Sequence, residues 1–192
     1  MGSKGRTQGG VSLAVLFSVV CKAGASRNAA AADGAPATPP FRTRGLQNEV
    51  GQAVKRALAG ADRLLAEPGC QDVLTDFHDA SGRTLKEVLD ANEASAQTYL
   101  RWVVFTDGRD SRACRSRGTL AATEPQSRVV FICPTAFVET ARATPEEAEA
   151  TLIHEMLHSL GLGENPPTSR EITARVRYRC EAKSGDRKRA SN

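Results

Sequence analysis

Residues 151–167, TLIHEMLHSLGLGENPP, decide how this chain of 192 residues is interpreted. His154 and His158 lie four positions apart, so on a helix their imidazoles project from one face about one turn apart. The preceding TPEE at 144–147 supplies an N-cap, a proline at the first helical position and a capping-box acid. These signals predict a helix that runs to about Leu160 and is stopped by Gly161.

Apolar residues flank both histidines along this predicted helix, which favours a buried position for His154, His158 and the neighbouring Glu155. Those apolar residues are Leu152, Ile153, Met156, Leu157 and Leu160. Burying two imidazoles and a carboxylate costs free energy unless a partner satisfies them, and a metal ion would do so. Two histidines at this spacing suit two ligand positions of a tetrahedral zinc ion. We therefore expect a Zn²⁺ site here, and a hydrogen-bonded pair of core histidines is the alternative.

The run HEMLHSLGLGE at 154–164 resembles the signature of the zincin metallopeptidases in its longer form, His-Glu-x-x-His-x-x-Gly-x-x-ligand. The resemblance implies that His154, His158 and Glu164 hold Zn²⁺, with Gly161 letting the chain turn the third ligand towards the metal. It also implies that Glu155 is the catalytic general base for a water acidified by the metal. The longer segment 154–173 is similar to uncharacterised exported bacterial proteins that carry this block near the carboxyl end.

Two features separate this chain from the metzincin branch of that family. Glutamate stands at position 164, where metzincins have histidine or sometimes aspartate, and the sequence has no methionine after the ligands. The resulting His-His-Glu set resembles that of the gluzincin branch, which takes its glutamate from a downstream helix. Glu171 is therefore a rival third ligand, although TSRE at 168–171 is itself a capping box. Glu164 is favoured because Gly161 provides a way to bring it round.

The first 25 residues have the layout of a secretory signal peptide. Basic residues precede an apolar run at 11–20, and Ala-Gly-Ala at 23–25 fits the small-x-small rule of signal peptidase. Ten apolar residues are too few to span a bilayer, which needs about 20, so no stable membrane insertion is expected. Cleavage near Ala25 predicts a secreted or periplasmic protein.

Four cysteines would remain after such a cleavage, and in an oxidising compartment an even number favours two disulfides. Four cysteines permit three pairings. Two of them flank a pair of predicted strands, and the other two lie near the ends of the predicted domain. The favoured pairing is therefore one local bridge and one long bridge, Cys114 with Cys133 and Cys70 with Cys180.

The rest of the sequence predicts one α+β domain at 46–183, with N-terminal helices, a small sheet, the helix of the histidines and a C-terminal helix. A flexible linker is predicted at 26–45 and a disordered basic tail at 184–192. Apolar residues at spacings of three and four predict the first long helix, from about Leu46 to Leu65. Shorter helices are predicted at 71–77 and 85–92, and the last after Pro167.

Three runs rich in β-branched, aromatic or small apolar residues predict the strands. They are YLRWVVFT at 99–106, GTLAAT at 118–123 and SRVVFIC at 127–133. Because turn and breaker residues separate consecutive runs, we expect a short, mostly antiparallel sheet.

The charge balance excludes some classes of partner. Lys and Arg total 26 and Asp and Glu total 22, and three of the basic residues lie in the first 25 positions, which contain no acid. The rest of the chain is close to neutral and has no general electrostatic attraction for nucleic acid or an anionic membrane. The arginine-rich stretch at 109–117 is interpreted as a solvated loop, with contact to an acidic substrate as the alternative.

These features together predict an exported zinc-dependent metallopeptidase that acts as a monomer on a peptide or protein substrate. The zincin resemblance implies that the substrate lies extended along an edge strand beside the active-site helix, for which residues 129–133 are the candidate. The alternative is a non-catalytic exported binding or structural protein that keeps a zincin core. Retention of Glu155 favours the enzyme, because a purely structural zinc site is usually closed by four protein ligands.

Overall fold

A computed structural model describes residues 38–181, so the predicted signal peptide at 1–25, the tail at 184–192 and most of the predicted linker lie outside the described residues. The described part is an α+β fold, as the sequence predicts. None of its helices is both long enough and apolar enough to cross a membrane. Its elements are β1 (Arg42–Arg44), α1 (Asn48–Leu65), α2 (Pro68–Gln71), α3 (Val73–Asp76), α4 (Leu85–Ala91), α5 (Ala96–Trp102), β2 (Val104–Asp107), β3 (Ala121–Ala122), β4 (Val129–Ile132), α6 (Pro134–Ala143), α7 (Pro145–Ser159) and α8 (Ser169–Glu181).

The four strands form one mixed sheet in the order β1-β2-β4-β3. β1 pairs with β2 and β2 pairs with β4 in parallel, whereas β3 pairs with β4 antiparallel. The prediction of a mostly antiparallel sheet is therefore wrong. The helices α1–α5 connect β1 to β2 along the chain. A helical crossover of this kind lets the second strand run parallel to the first. β3 precedes β4 in sequence but takes the outer edge, so β2 and β4 become parallel neighbours.

Two local assignments also differ from the sequence prediction. Residues 99–102, the first half of the strand predicted at 99–106, belong to α5, and only 104–107 form a strand. Ser95 accounts for this helix, because its side chain accepts a hydrogen bond from the backbone N–H of Thr98 and caps α5. Residues 42–44, which lie in the predicted linker, form β1 and pair with β2.

The strand predicted to seat a substrate, at 129–133, does not lie at an edge of the sheet. β4 is paired with β2 on one side and, at Phe131 and Ile132, with β3 on the other. The edge strands of the sheet are β1 and β3, and β3 contacts α7. The prediction that residues 129–133 form an edge strand is therefore wrong.

α7 lies at the centre of the described fold, with α1, α6, α8 and β3 packed around it. All residues from 152 to 160 are buried, as the apolar flanks of the histidines predict. Pro145 occupies the first helical position, but the predicted capping box with Thr144 does not form. Glu147 instead accepts a hydrogen bond of 2.7 Å from Arg177 of α8.

α8 is fastened to the helices α2 and α3 near its end. Cys180 forms a disulfide with Cys70, and Arg179 donates hydrogen bonds of 2.6 and 2.7 Å to the two carboxylate oxygens of Asp76. These hydrogen bonds, together with the positive charge of Arg179, hold the pKa of Asp76 below its usual range. The second disulfide joins Cys114 to Cys133, so both predicted bridges are confirmed.

Candidate metal centre

A glycine turn shapes the end of α7. Gly161 has a φ of +115°, and the backbone N–H groups of Gly161 and Leu162 donate to the carbonyls of His158 and Leu157. These are the two hydrogen bonds of a Schellman motif, which ends a helix and reverses the chain. A Cβ at position 161 would lie 3.2 Å from the Cβ of Asp79, so this turn also fits closely against a neighbouring loop.

The loop after that turn brings Glu164 to the two histidines. Its Oε1 lies 3.2 Å from Nε2 of His158 and 3.8 Å from Nε2 of His154, and the two nitrogens are 3.0 Å apart. Each histidine is 5 % exposed, whereas the side chain of Glu164 is 38 % exposed. His154, His158 and Glu164 therefore form a group that could hold a metal ion and that is open on its glutamate side.

Glu171, the rival third ligand, has other partners. Its Oε2 accepts hydrogen bonds of 2.8 Å from both the backbone N–H and the hydroxyl of Thr168, and Thr168 Oγ1 accepts one of 3.3 Å in return. This is the capping box that the sequence predicts for the start of α8. The structure brings Glu164, and not Glu171, into the group with the histidines.

Hydrogen bonds on the outer side of each ring orient the histidines. Nδ1 of His158 lies 2.7 Å from the carbonyl oxygen of Leu162, which can only accept, so Nδ1 carries a proton, and in the neutral ring the lone pair is then on Nε2. Nδ1 of His154 lies 2.9 Å from Oγ1 of Thr173 on α8, a hydroxyl that can accept in the same way. Burial, with the neighbouring His158 as a smaller cause, lowers the pKa of His154 to about 3. Neutral imidazoles held by such outer partners are suited to bind a metal.

The spacing of the three donor atoms fits an ion of the size of zinc. Atoms that lie about 2.0–2.1 Å from a tetrahedral zinc ion are roughly 3.3 Å from one another. The separations between the donor atoms of His154, His158 and Glu164 are 3.0, 3.2 and 3.8 Å. Three atoms that bear lone pairs repel one another at this range unless a proton or a cation lies among them. Three protein ligands would leave one tetrahedral position open, which is typical of catalytic zinc sites.

Glu155 lies beside this group on α7. Its side chain is 5 % exposed, and its Oε2 has no hydrogen-bond partner within residues 38–181. Burial, and to a smaller extent the negative charge of Glu164, raises the pKa of Glu155 to about 8. The backbone N–H of Thr123 lies close to the carboxylate and opposes part of the rise in its pKa. A buried oxygen without a partner is uncommon in folded proteins and indicates a position for a water or a ligand atom.

Two groups from distant parts of the chain, one side-chain hydroxyl and one backbone N–H, donate hydrogen bonds to carbonyl groups at the end of α7. The hydroxyl of Tyr99 on α5 donates to the carbonyl of Ser159 at 2.8 Å, and this contact is buried. The backbone N–H of Gln126 donates to the carbonyl of His158 at 3.0 Å. The last carbonyls of a helix otherwise lack partners, so these bonds fix the turn that carries both histidines.

A groove passes the donor atoms on the side of β3. It consists of three adjoining cavities with volumes of about 380, 330 and 570 Å³. The first cavity is lined by all three donor side chains, the second by Glu155 and Arg117, and the third again by Arg117. The donor group and Glu155 therefore line one cavity, and shared lining residues connect this cavity to the second and the second to the third.

We expect Thr173→Val to weaken zinc binding about 10- to 100-fold, because valine keeps the shape of threonine but removes the partner of His154 Nδ1. Competition with a chromogenic chelator measures this affinity. Thr151→Val is the matched control, since the hydroxyl of Thr151 donates to the carbonyl of Glu147 and not to an imidazole. Equal affinities of Thr173→Val and the wild type would show that Thr173 does not orient His154.

Thr173 and Thr123 were not among the residues predicted from the sequence. Thr173 lies 19 residues after His154, on α8, and Thr123 directly follows β3. Neither residue belongs to a local pattern, and their contacts depend on how α8 and β3 pack on α7. The amino-acid order alone carries no signal for either of them.

No family model, curated protein or solved structure matches this chain.

Proposed function

We propose that this chain is an exported zinc-dependent peptidase of the zincin type, with His154, His158 and Glu164 as zinc ligands and Glu155 as general base. The observation that carries the proposal is the carboxylate residue Glu155, 5 % exposed, which lines the same cavity as the three convergent donor side chains. A purely structural zinc site is closed by four protein ligands and needs no such carboxylate beside it.

Bound zinc would supply a Lewis acid that acidifies water and polarises a peptide carbonyl. The carboxylate of Glu155 would accept a proton from the attacking water and deliver it to the leaving amine. The backbone N–H of Thr123 lies close to this carboxylate and favours its charged form. The outer hydrogen bonds of His154 and His158 keep their Nε2 atoms directed at one point.

The open edge of β3 would bind the substrate. β4 pairs with one side of β3, and both residues of β3 line the first cavity of the groove. They are Ala121 and Ala122, whose small side chains add little bulk to the wall of that cavity. A peptide that lies in the groove would add to this edge as a further strand, with its backbone hydrogen-bonded to β3.

Peptide hydrolysis tests the proposal directly. The full chain, loaded with zinc, is incubated with a mixed-sequence peptide library, and the products are identified by mass spectrometry. We expect cleavage that a chelator abolishes and that one equivalent of zinc restores. One bound zinc ion per chain without cleavage of any peptide would contradict the proposal and favour the non-catalytic alternative.

The identity of the third ligand is tested by Glu164→Gln and Glu171→Gln. We expect Glu164→Gln to lose more zinc affinity than the roughly 10- to 100-fold that removal of an outer hydrogen bond costs. Glu171→Gln should bind zinc as the wild type does and lose about 1 kcal/mol of stability through its cap. Isothermal titration with zinc and thermal unfolding measure the two effects, and a reversed order of affinities would assign the ligand to Glu171.

A further inference from the structure

The third cavity of the groove carries unpaired positive charge. Arg117 lines the second and third cavities, and Arg115 lines the third. Both residues are exposed, and neither forms an ion pair within residues 38–181. Arg109 lines the same cavity but is already paired with Asp107 at 2.7 Å. Glu139 is the acidic residue on this wall, so the two unpaired guanidinium groups leave this end of the groove positive.

The opposite end of the groove carries negative charge. Glu124 and Glu164 both line the first cavity. Glu164 belongs to the donor group, whereas Glu124 is exposed and forms no ion pair within the described chain. A peptide that lies in the groove would therefore have a positive field around its residues at the Arg117 end and a negative one at the Glu124 end.

The segment that carries Arg117 is fixed at both of its ends. Cys114 is bonded to Cys133, and the backbone N–H of Cys133 donates to the carbonyl of Leu120 at 2.9 Å. Arg117 lies between these two attachments, so its backbone has little freedom relative to β4. A backbone that is already held near its bound position loses less conformational entropy when a ligand arrives, so only the Arg117 side chain has to be ordered.

We propose that the Arg117 end of the groove is a subsite for an acidic side chain, so that the peptidase prefers aspartate or glutamate on that side of the scissile bond. A guanidinium group can donate two parallel hydrogen bonds to one carboxylate, which favours arginine at such a subsite. Arg117 shares a cavity with His154 and Glu155, so the acidic residue would lie within a few positions of the bond that is cleaved. The inference rests on the proposed peptidase function and adds its substrate class.

Charge reversal at Arg117 tests the subsite. The value of kcat/KM is measured for the wild type and for Arg117→Glu with a set of peptides. These peptides differ at one position near the cleaved bond, where they carry aspartate, glutamine or lysine. We expect the wild type to favour aspartate over glutamine about fivefold, the scale of a solvent-exposed ion pair, and Arg117→Glu to favour lysine instead. Arg112→Glu is the matched control, because Arg112 is exposed on the same loop and lines none of the three cavities.

A binding measurement separates recognition from turnover. Fluorescence anisotropy gives the Kd of the aspartate peptide for zinc-loaded Glu155→Gln, with and without Arg117→Glu, and we expect the second substitution to weaken binding about fivefold. Cleavage without preference for aspartate, or the same loss of preference in Arg112→Glu and Arg117→Glu, would overturn the subsite and leave the peptidase proposal standing. Failure to cleave or bind any peptide would overturn both.

Discussion

Glu155→Gln is expected to bind one zinc ion per chain and to lower kcat for peptide hydrolysis by roughly 10²- to 10⁴-fold, the contribution of a general base. Glutamine has nearly the same shape as glutamate, so the substitution leaves the packing of α7 unchanged. Its neutral amide cannot accept a proton from water, however, as a carboxylate can. Metal analysis and single-peptide kinetics on the same sample measure both quantities.

Glu146→Gln provides the matched control for this experiment. Glu146 lies in the first turn of α7 and is exposed, so the substitution makes the same chemical change on the same helix. We expect its kcat and zinc content to equal those of the wild type. A Glu155→Gln protein that binds zinc and keeps full hydrolysis would remove Glu155 from the catalytic role.

Removal of the Cys70–Cys180 disulfide is expected to lower the free energy of unfolding by about 5 kcal/mol and to weaken zinc binding. The bridge closes a loop of 110 residues, and the entropy that such a loop removes from the unfolded chain is worth about 4.7 kcal/mol. It also anchors α8, which carries Thr173 to the ring of His154. Urea denaturation and zinc titration of the Cys70→Ala/Cys180→Ala protein measure the two losses.

The second disulfide supplies the comparison. Cys114 and Cys133 are 19 residues apart, so the Cys114→Ala/Cys133→Ala protein should lose only about 3 kcal/mol. Its zinc affinity should be unchanged, because this bridge does not attach α8. An equal loss of stability or of zinc affinity in the two double variants would contradict the role assigned to the long bridge.

The helices that the sequence predicts well have local signals. α1 follows from apolar spacing, and α7 follows from Pro145 together with the apolar flanks of the histidines. The sequence analysis does not predict α6, although Pro134 occupies its first helical position, where proline commonly begins a helix. The parallel pairing of β2 with β4 depends on where β3 is placed in the sheet, and no local pattern encodes that.

The candidate site likewise has some features that local sequence patterns predict and others that depend on long-range packing. The proximity of His154 and His158 follows from helix geometry alone, and the Schellman turn at Gly161 follows from the conformational freedom of glycine. The choice of Glu164 over Glu171 depends on the path of a loop and on whether a competing cap forms. The groove depends on long-range packing, so the position of Arg117 beside Glu155 could not be predicted.

The two edges of the sheet have a consequence for aggregation. β1 exposes Arg42 and Arg44 along one edge, and cationic side chains on an edge strand deter pairing with a strand of another molecule. The other edge, β3, offers only two residues, which is too short to template a stable ladder between molecules. A peptide bound at β3 would also be held by the groove, whereas a strand of another molecule would have only these two residues to pair with. This edge is thus a poor seed for fibre growth. We therefore expect concentrated solutions of the purified protein to remain free of β-type aggregates.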